Sequence, residues 1–225
     1  LALESDPDAT ATALRGARLV LLGVKPAMVP DLLSDIQELL EPDAVVVSLA
    51  AGVTIATMEA LVPQVVFRSM PNTPSVVGLG VTGVAAGARA SSADAALVRT
   101  LFETVGAVIE LPESQIDALS TISGSGPAYV FFLIERLTDT ALALGFSDEQ
   151  ARLMVEQTFR GASELLAKER RESDTGPAEL RRRVTSPKGT TERAIGVLES
   201  ADLTQLFDRA TTAALARAAE MARGE

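Results

Sequence analysis

The run Val184-Thr185-Ser186-Pro187-Lys188-Gly189-Thr190-Thr191 sets hydroxyls, a turn-forming proline and a glycine just before the helical pattern Glu192-Arg193-Ala194-Ile195-Gly196-Val197-Leu198. A helix starting there offers its unpaired first-turn N–H groups, and the positive end of its dipole, to an anion such as a carboxylate. Gly189 lets a ligand approach the backbone closely. The plainer reading, an ordinary Ser/Thr N-cap, fits the same residues.

Composition narrows the chemistry. The chain has 225 residues, 47% of them hydrophobic, enough to bury a core as one large domain or two small ones. It contains no cysteine and no histidine. That excludes disulfides, thiol catalysis and thiolate metal sites, and removes the commonest general base and metal ligand; no metal site is assigned. Any reaction must therefore draw on a cofactor or on the substrate's own reactivity. A formal charge of −10 argues against a nucleic-acid partner, which needs a basic face. Arg181-Arg182-Arg183 reads as a solvated helix face or a cationic last turn. The longest apolar run, 129–134, is far short of the roughly 20 residues that span a bilayer, and the start carries no signal-peptide pattern. The expectation is a cytoplasmic protein with no membrane partner.

Two halves differ in pattern. Up to residue 111, apolar runs of strand length alternate with amphipathic segments, predicting an α/β domain with a mostly parallel, Rossmann-like sheet. Strands are expected at 17–24, 44–49, 65–70, 81–87 and 107–111. Helices are expected at 30–40 with a proline in the first turn, from Thr54, and at 93–105 with Ser91 and Asp94 at its cap. Residues 112–225 read as all-α, with helices at 113–122, 127–144, 148–170, 177–184, 191–199 and 202–223. Ser147 and Gln150 form a capping box and Gly145 stops the helix before it. The helix from Pro127 is apolar almost all round, as a helix buried on every side would be; the excess over what a small helical half can cover reads as a subunit interface.

Two further stretches join the first: Met70-Pro71-Asn72-Thr73-Pro74 and Ser120-Thr121-Ile122-Ser123-Gly124-Ser125-Gly126-Pro127-Ala128-Tyr129. The ordered triplet resembles pyrroline-5-carboxylate reductase, along essentially the whole chain. The resemblance implies reduction of a cyclic imino acid, 1-pyrroline-5-carboxylate, to proline by NADP or NAD in reduced form, in a homodimer built through the helical half and assembling further, up to a decamer. A dinucleotide-binding domain is implied over 1–111, and a dimerisation and substrate-binding domain over 112–225.

Ligands of doubly wound sheets sit beyond the carboxyl ends of the strands. Three loops fall there: Gly23-Val24-Lys25-Pro26, Leu49-Ala50-Ala51-Gly52, and the loop holding Asn72 and Thr73. The family usually has alanine at the place of Gly23. Small Ala50 and Ala51 would let the nicotinamide and ribose lie against the main chain, and Asn72 and Thr73 would bond the carboxamide or order the loop. The resemblance puts the substrate carboxylate against Ser186 and the N–H groups near Gly189 and Thr190, with the Thr191 hydroxyl reaching the ring nitrogen. Lys188, where the family commonly has a second glycine, adds a cation or points to solvent. Glu113 matches a position that contacts substrate across the interface; a helix-start acid is the plainer reading. Ser123 and Ser125 line the pocket, or their glycine neighbours only permit close packing.

A protonated imine is already electrophilic, so little is needed beyond protonation and alignment, and alignment alone contributes about 7–11 kcal/mol in favourable cases. Lys25 is the strong ionisable group nearest the ring, and no catalytic acid is assigned. The expected opening, a strand running into G-x-G-x-x-G and a ribose-reading acid about 20 residues on, is missing from the sequence, which begins Leu1-Ala2-Leu3-Glu4. Truncation is favoured over loss. Two rivals remain: a β-hydroxyacid dehydrogenase, although the lysine expected soon after its glycine run does not occur before Lys168, and a non-catalytic helical dimerisation module.

Overall fold

The computed structural model describes residues 8–222. Five strands, β1 (Leu19–Leu22), β2 (Val45–Ser48), β3 (Val65–Met70), β4 (Gly80–Ala86) and β5 (Gly106–Glu110), form one sheet in the order β1-β2-β3-β4-β5. β1, β2 and β3 are mutually parallel, β4 runs antiparallel to β3, and β5 is parallel to β4. The antiparallel pairing follows from the short connection after β3. A 3₁₀ turn at Thr73–Val77 and Gly78 at φ 73° reverse the chain where a parallel crossover would need a dozen residues or more.

Every residue of β2 is buried, as a valine run covered on both faces must be. Alternation sends Val46 to one face, with Val20, Leu22 and Val66, and Val45 and Val47 to the other, with Phe67 and Val84. The first face packs under α2 (Val29–Ile36) and α3 (Ile55–Glu59) through Val29, Leu33, Ile55 and Met58. The second packs under α4 (Ser92–Glu103) through Val98 and Phe102. Each fully buried side chain of this kind contributes about 1.5–3 kcal/mol. The helix predicted over 30–40 is α-helical to Ile36 and tightens to a 3₁₀ turn at Gln37–Leu39. A short helix, α1 (Ala9–Leu14), was not foreseen; its two threonines weaken the propensity signal, and Leu14 is its buried residue.

The cap of α4 is a full capping box: the Asp94 N–H donates to Ser91 Oγ, and the Ser91 N–H to Asp94 Oδ2. The Ser91 hydroxyl and backbone bonds, then Arg18 at 2.7 Å, hold the Asp94 carboxyl below its ordinary range. A folded-state pKa below the unfolded one stabilises the protein above the carboxylate range and is lost as pH falls through it. Asp94→Asn is therefore expected to cost about 0.5–2 kcal/mol near neutral pH and progressively less below about pH 4. Urea unfolding at neutral and acid pH measures this; an equal deficit at both would contradict it.

After β5 the chain is helical, but the helix predicted over 113–122 is three kinds of turn: 3₁₀ at Glu113–Gln115, α5 (Ile116–Leu119), and a π turn at Ser120–Gly124 in which the Ser125 N–H reaches Ser120 O at 2.9 Å. Then come α6 (Gly126–Ala143), α7 (Asp148–Ser173), α8 (Pro177–Arg183), α9 (Thr190–Ser200) and α10 (Leu203–Ala222). Gly145, at φ 92°, follows α6, and Ser147 with Gln150 forms the expected capping box on α7. The predicted last helical residue, Arg223, and the opening Leu1-Ala2-Leu3-Glu4 lie outside the described residues.

Contacts divide the chain into two compact units, Leu1–Pro127 with Thr211–Glu225, and Ala128–Ala210. On α6, the expectation of burial on every side is corrected. Val130, Phe131, Phe132 and Leu133 are exposed, Phe131 by 61%, and Ala141 is the helix's buried residue. The sequence pattern measures how much apolar surface needs covering, and this chain does not cover it. Arg181, Arg182 and Arg183 pair with Glu199, Glu179 and Glu169 respectively, so the basic run is charge-balanced. Among the described residues no helix is long and apolar enough to cross a membrane.

Candidate functional site

Because β1, β2 and β3 are adjacent and parallel, their carboxyl ends share one edge of the sheet, and the loops 23–26, 49–52 and 71–74 emerge side by side. A Cβ at Gly23 would meet nothing within 4 Å, so the family's alanine would fit. Val24 packs partly into the core, while Lys25 is exposed and opens a 3₁₀ turn at Pro26–Met28. Leu49 packs partly beneath the sheet, Ala50 is buried, Ala51 is exposed, and Gly52 takes φ 77°. The Ala50 N–H donates to Ser48 Oγ at 3.2 Å, and Ser69 Oγ donates to Ser48 O at 3.0 Å, which fixes the ends of β2 and β3 against each other. This edge presents backbone and small side chains at the place where doubly wound sheets bind their ligands.

Asn72 orders its loop. Its amide donates to Ser123 O at 2.9 Å, and its carbonyl accepts from the Val81 N–H at 2.8 Å. Thr73 begins the following 3₁₀ turn. Ser123 Oγ donates to Leu119 O at 3.1 Å, inside the π turn.

The spacing G-x-G-x-x-G does occur, at Gly78, Gly80 and Gly83, which corrects the expectation that the sequence lacks it. It leads into strand β4 instead of joining a strand to a helix, so its N–H groups do not form a phosphate cradle. Gly78 makes the left-handed turn, and the other two serve packing: a Cβ at Gly80 would lie 2.1 Å from Ser75 Oγ, and one at Gly83 2.8 Å from Leu119 Cδ1.

Glu113 belongs to the same unit as the sheet. Its Oε1 accepts from the Ile55 N–H, the first donor of α3, at 2.7 Å and lies 3.6 Å from Arg68 Nη1. Arg68 Nη2 is 2.5 Å from Asp117 Oδ1. Arg68 and Asp117 escaped the sequence reading. The available signal was an arginine inside the buried run Val65-Val66-Phe67-Arg68-Ser69-Met70, with two acids one helical turn apart at 113 and 117.

In the second unit, Ser186, Gly189, Thr190 and Thr191 stand at the start of α9. The N-cap is Gly189, with no side-chain cap bond, so the Ser/Thr capping alternative is not what forms. The Gly189 N–H closes a turn on Ser186 O at 3.0 Å, and a Cβ on Gly189 would lie 2.9 Å from that oxygen, which is why glycine is needed. Lys188 adopts φ 60°, and its N–H donates to Glu192 Oε2 at 2.9 Å. Its side chain is exposed. The first turn of α9 thus keeps N–H groups that no side chain caps, beside the exposed Thr190 and Thr191 hydroxyls.

A doubly wound sheet with small, backbone-presenting loops on its carboxyl edge, followed by an all-helical region, is the build of a nicotinamide-dependent oxidoreductase. A family profile for pyrroline-5-carboxylate reductase dimerisation matches residues 113–221. The pyrroline-5-carboxylate reductase of Pseudomonas aeruginosa is 40% identical over 96% of this chain and 78% of its own length. A solved pyrroline-5-carboxylate reductase from Coxiella burnetii superposes with a TM-score of 0.87 at 40% identity, covering 94% of this chain and 78% of that one. The Plasmodium falciparum pyrroline carboxylate reductase, solved with NADP bound, gives a TM-score of 0.81 at 28% identity, covering 95% and 80%. The chain belongs to the pyrroline-5-carboxylate reductase family.

Proposed function

We propose that this enzyme reduces 1-pyrroline-5-carboxylate to L-proline with NADPH or NADH, the closing step of proline synthesis. The observation that carries the reading is the ordered triplet of motifs, placed on a sheet edge and at a helix start of the expected kinds, in a chain 40% identical to a reductase of that name. Loops 23–26, 49–52 and 71–74 would hold the cofactor: Gly23 and Ala51 present main chain, Ala50 leaves room, and Asn72 keeps the third loop in shape. Reduced nicotinamide, when bound, supplies the hydride. Ser186 and the first-turn N–H groups from Thr190 onward would take the imine carboxylate, supported by the uncapped start of α9; the Gly189 N–H is already bonded to Ser186 O and shapes the turn. The Thr191 hydroxyl would bond the ring nitrogen and so favour the protonated, electrophilic imine, and Glu113 would contact the substrate across the subunit interface, as the resemblance implies. These contacts orient C5 for hydride attack, and alignment supplies much of the acceleration.

The division of labour we propose is cofactor binding over 1–111 and dimerisation with substrate binding over 112–225, supported by the dimerisation match from residue 113. A homodimer is the minimal assembly and a decamer the fuller one, the exposed aromatics of α6 being its support. A cytoplasmic setting is part of the same proposal. The test is chromatographic: the protein should convert pyrroline-5-carboxylate and NADPH or NADH to L-proline. Consumption of neither reactant would reject the reading.

A further inference from the structure

Asn72 stands just past the end of β3. The antiparallel register that pairs Met70 with Gly83 places Asn72 opposite Val81. Its main-chain carbonyl accepts from the Ser75 N–H at 3.2 Å and so opens the 3₁₀ turn, which draws it away from the strand ladder. The side-chain carbonyl takes the ladder's place and accepts from the Val81 N–H at 2.8 Å. The other end of the amide donates to Ser123 O at 2.9 Å. An α-helix would give Ser123 O the N–H of residue 127, but that residue is Pro127 and has none. One side chain thus supplies an acceptor that the strand has lost and a donor that the helix lacks. All of these groups belong to the same compact unit.

The 3₁₀ turn Thr73–Val77 buries no residue, and Val76, Val77 and Leu79 are exposed. With no residue of its own in the core, the turn is tied to the rest of the unit through the Asn72 amide. The far end of the tie is firm: Thr121 is buried, Ser123 Oγ donates to Leu119 O at 3.1 Å, and Leu119 packs against the core beside Gly83. A loop fixed in this way before any ligand arrives spares that ligand the cost of ordering it.

We propose that Asn72 is the positioning residue for nicotinamide binding: its amide ties loop 71–74 to the turn Ser120–Gly124, and cofactor affinity depends on that tie. The inference rests on the reading that this loop holds the cofactor.

The test compares Asn72→Ala and Asn72→Asp with the wild-type protein. Three quantities are measured: Kd for NADPH and for NADH by calorimetry, hydrogen exchange at the Val81 amide without ligand, and the imine KM at saturating reduced nicotinamide. Alanine removes both bonds, whereas aspartate keeps the acceptor for Val81 and sets a carboxylate against Ser123 O. Both variants should bind reduced nicotinamide about tenfold more weakly, with the imine KM unchanged. Val81 exchange should quicken in Asn72→Ala alone, which assigns the aspartate variant's loss to the Ser123 tie. Either variant decides if the other fails to fold. Wild-type affinity in a folded variant, Val81 exchange quickened equally in both, or imine KM and nicotinamide Kd rising together would overturn the positioning role and leave the reductase reading standing. A wild-type protein that binds neither nicotinamide would overturn the reading of the loop, and the inference with it.

Discussion

Thr191→Val should lower kcat/KM for the imine by about 100-fold or more, within the range that a positioned proton-handling group contributes, while the protein melts close to the wild-type temperature. The two side chains have nearly the same shape, and valine and threonine have similar helix propensities. Thr191 is exposed in the first turn of α9, where no side-chain bond is lost from the cap. What disappears is one hydroxyl proposed to bond the ring nitrogen. The loss should appear in imine kinetics and leave the KM for NADPH or NADH in place, because the cofactor loops lie on the sheet. Steady-state kinetics with each substrate varied in turn measures both. Unchanged imine kinetics would reject the role of Thr191.

Phe131→Glu should dissociate the oligomer. Phe131 is 61% exposed on its own chain, among Val130, Phe132 and Leu133, which are exposed as well, and the segment lies within the region matched to reductase dimerisation. An aromatic anchor of this kind is worth about 2 kcal/mol or more at an interface, and burying an unpaired carboxylate in its place adds further cost. A total of about 4 kcal/mol would raise the dissociation constant roughly 1,000-fold. Sedimentation of the variant at micromolar concentration should find monomer, with its helical content retained. A variant that stays assembled would place the interface elsewhere.

The legible parts of the fold were those governed by short-range rules. Valine runs announced β2 and β3, and the Ser91 and Ser147 boxes announced the starts of α4 and α7. What escaped depends on tertiary context. The π turn at Ser120–Gly124 looks helical in pattern, because a single turn is too short for its changed period to show in the spacing of apolar residues. The G-x-G-x-x-G spacing from Gly78 to Gly83 carries meaning only through the element it enters, which is a strand. The exposure of Phe131 could not be read from α6 itself, since the same pattern describes a core helix and an interface helix.

In the candidate site, the helix start at α9 was legible, whereas Gly189, read from the sequence as a point of close ligand approach, is required by the turn itself, where a Cβ would meet Ser186 O. Asn72 was legible as a loop residue, and its bonds to Ser123 and Val81 order the loop. The link from Glu113 to Arg68 spans 45 positions of sequence (113 − 68), too far for any local pattern to connect them.

The most direct test of the account is the imine dependence of nicotinamide oxidation by the protein: the loss of NADPH, and separately of NADH, followed with and without pyrroline-5-carboxylate. The account predicts oxidation that needs the imine, saturates with it and yields one L-proline per reduced cofactor consumed. Oxidation indifferent to the imine, or none with either cofactor, would contradict it.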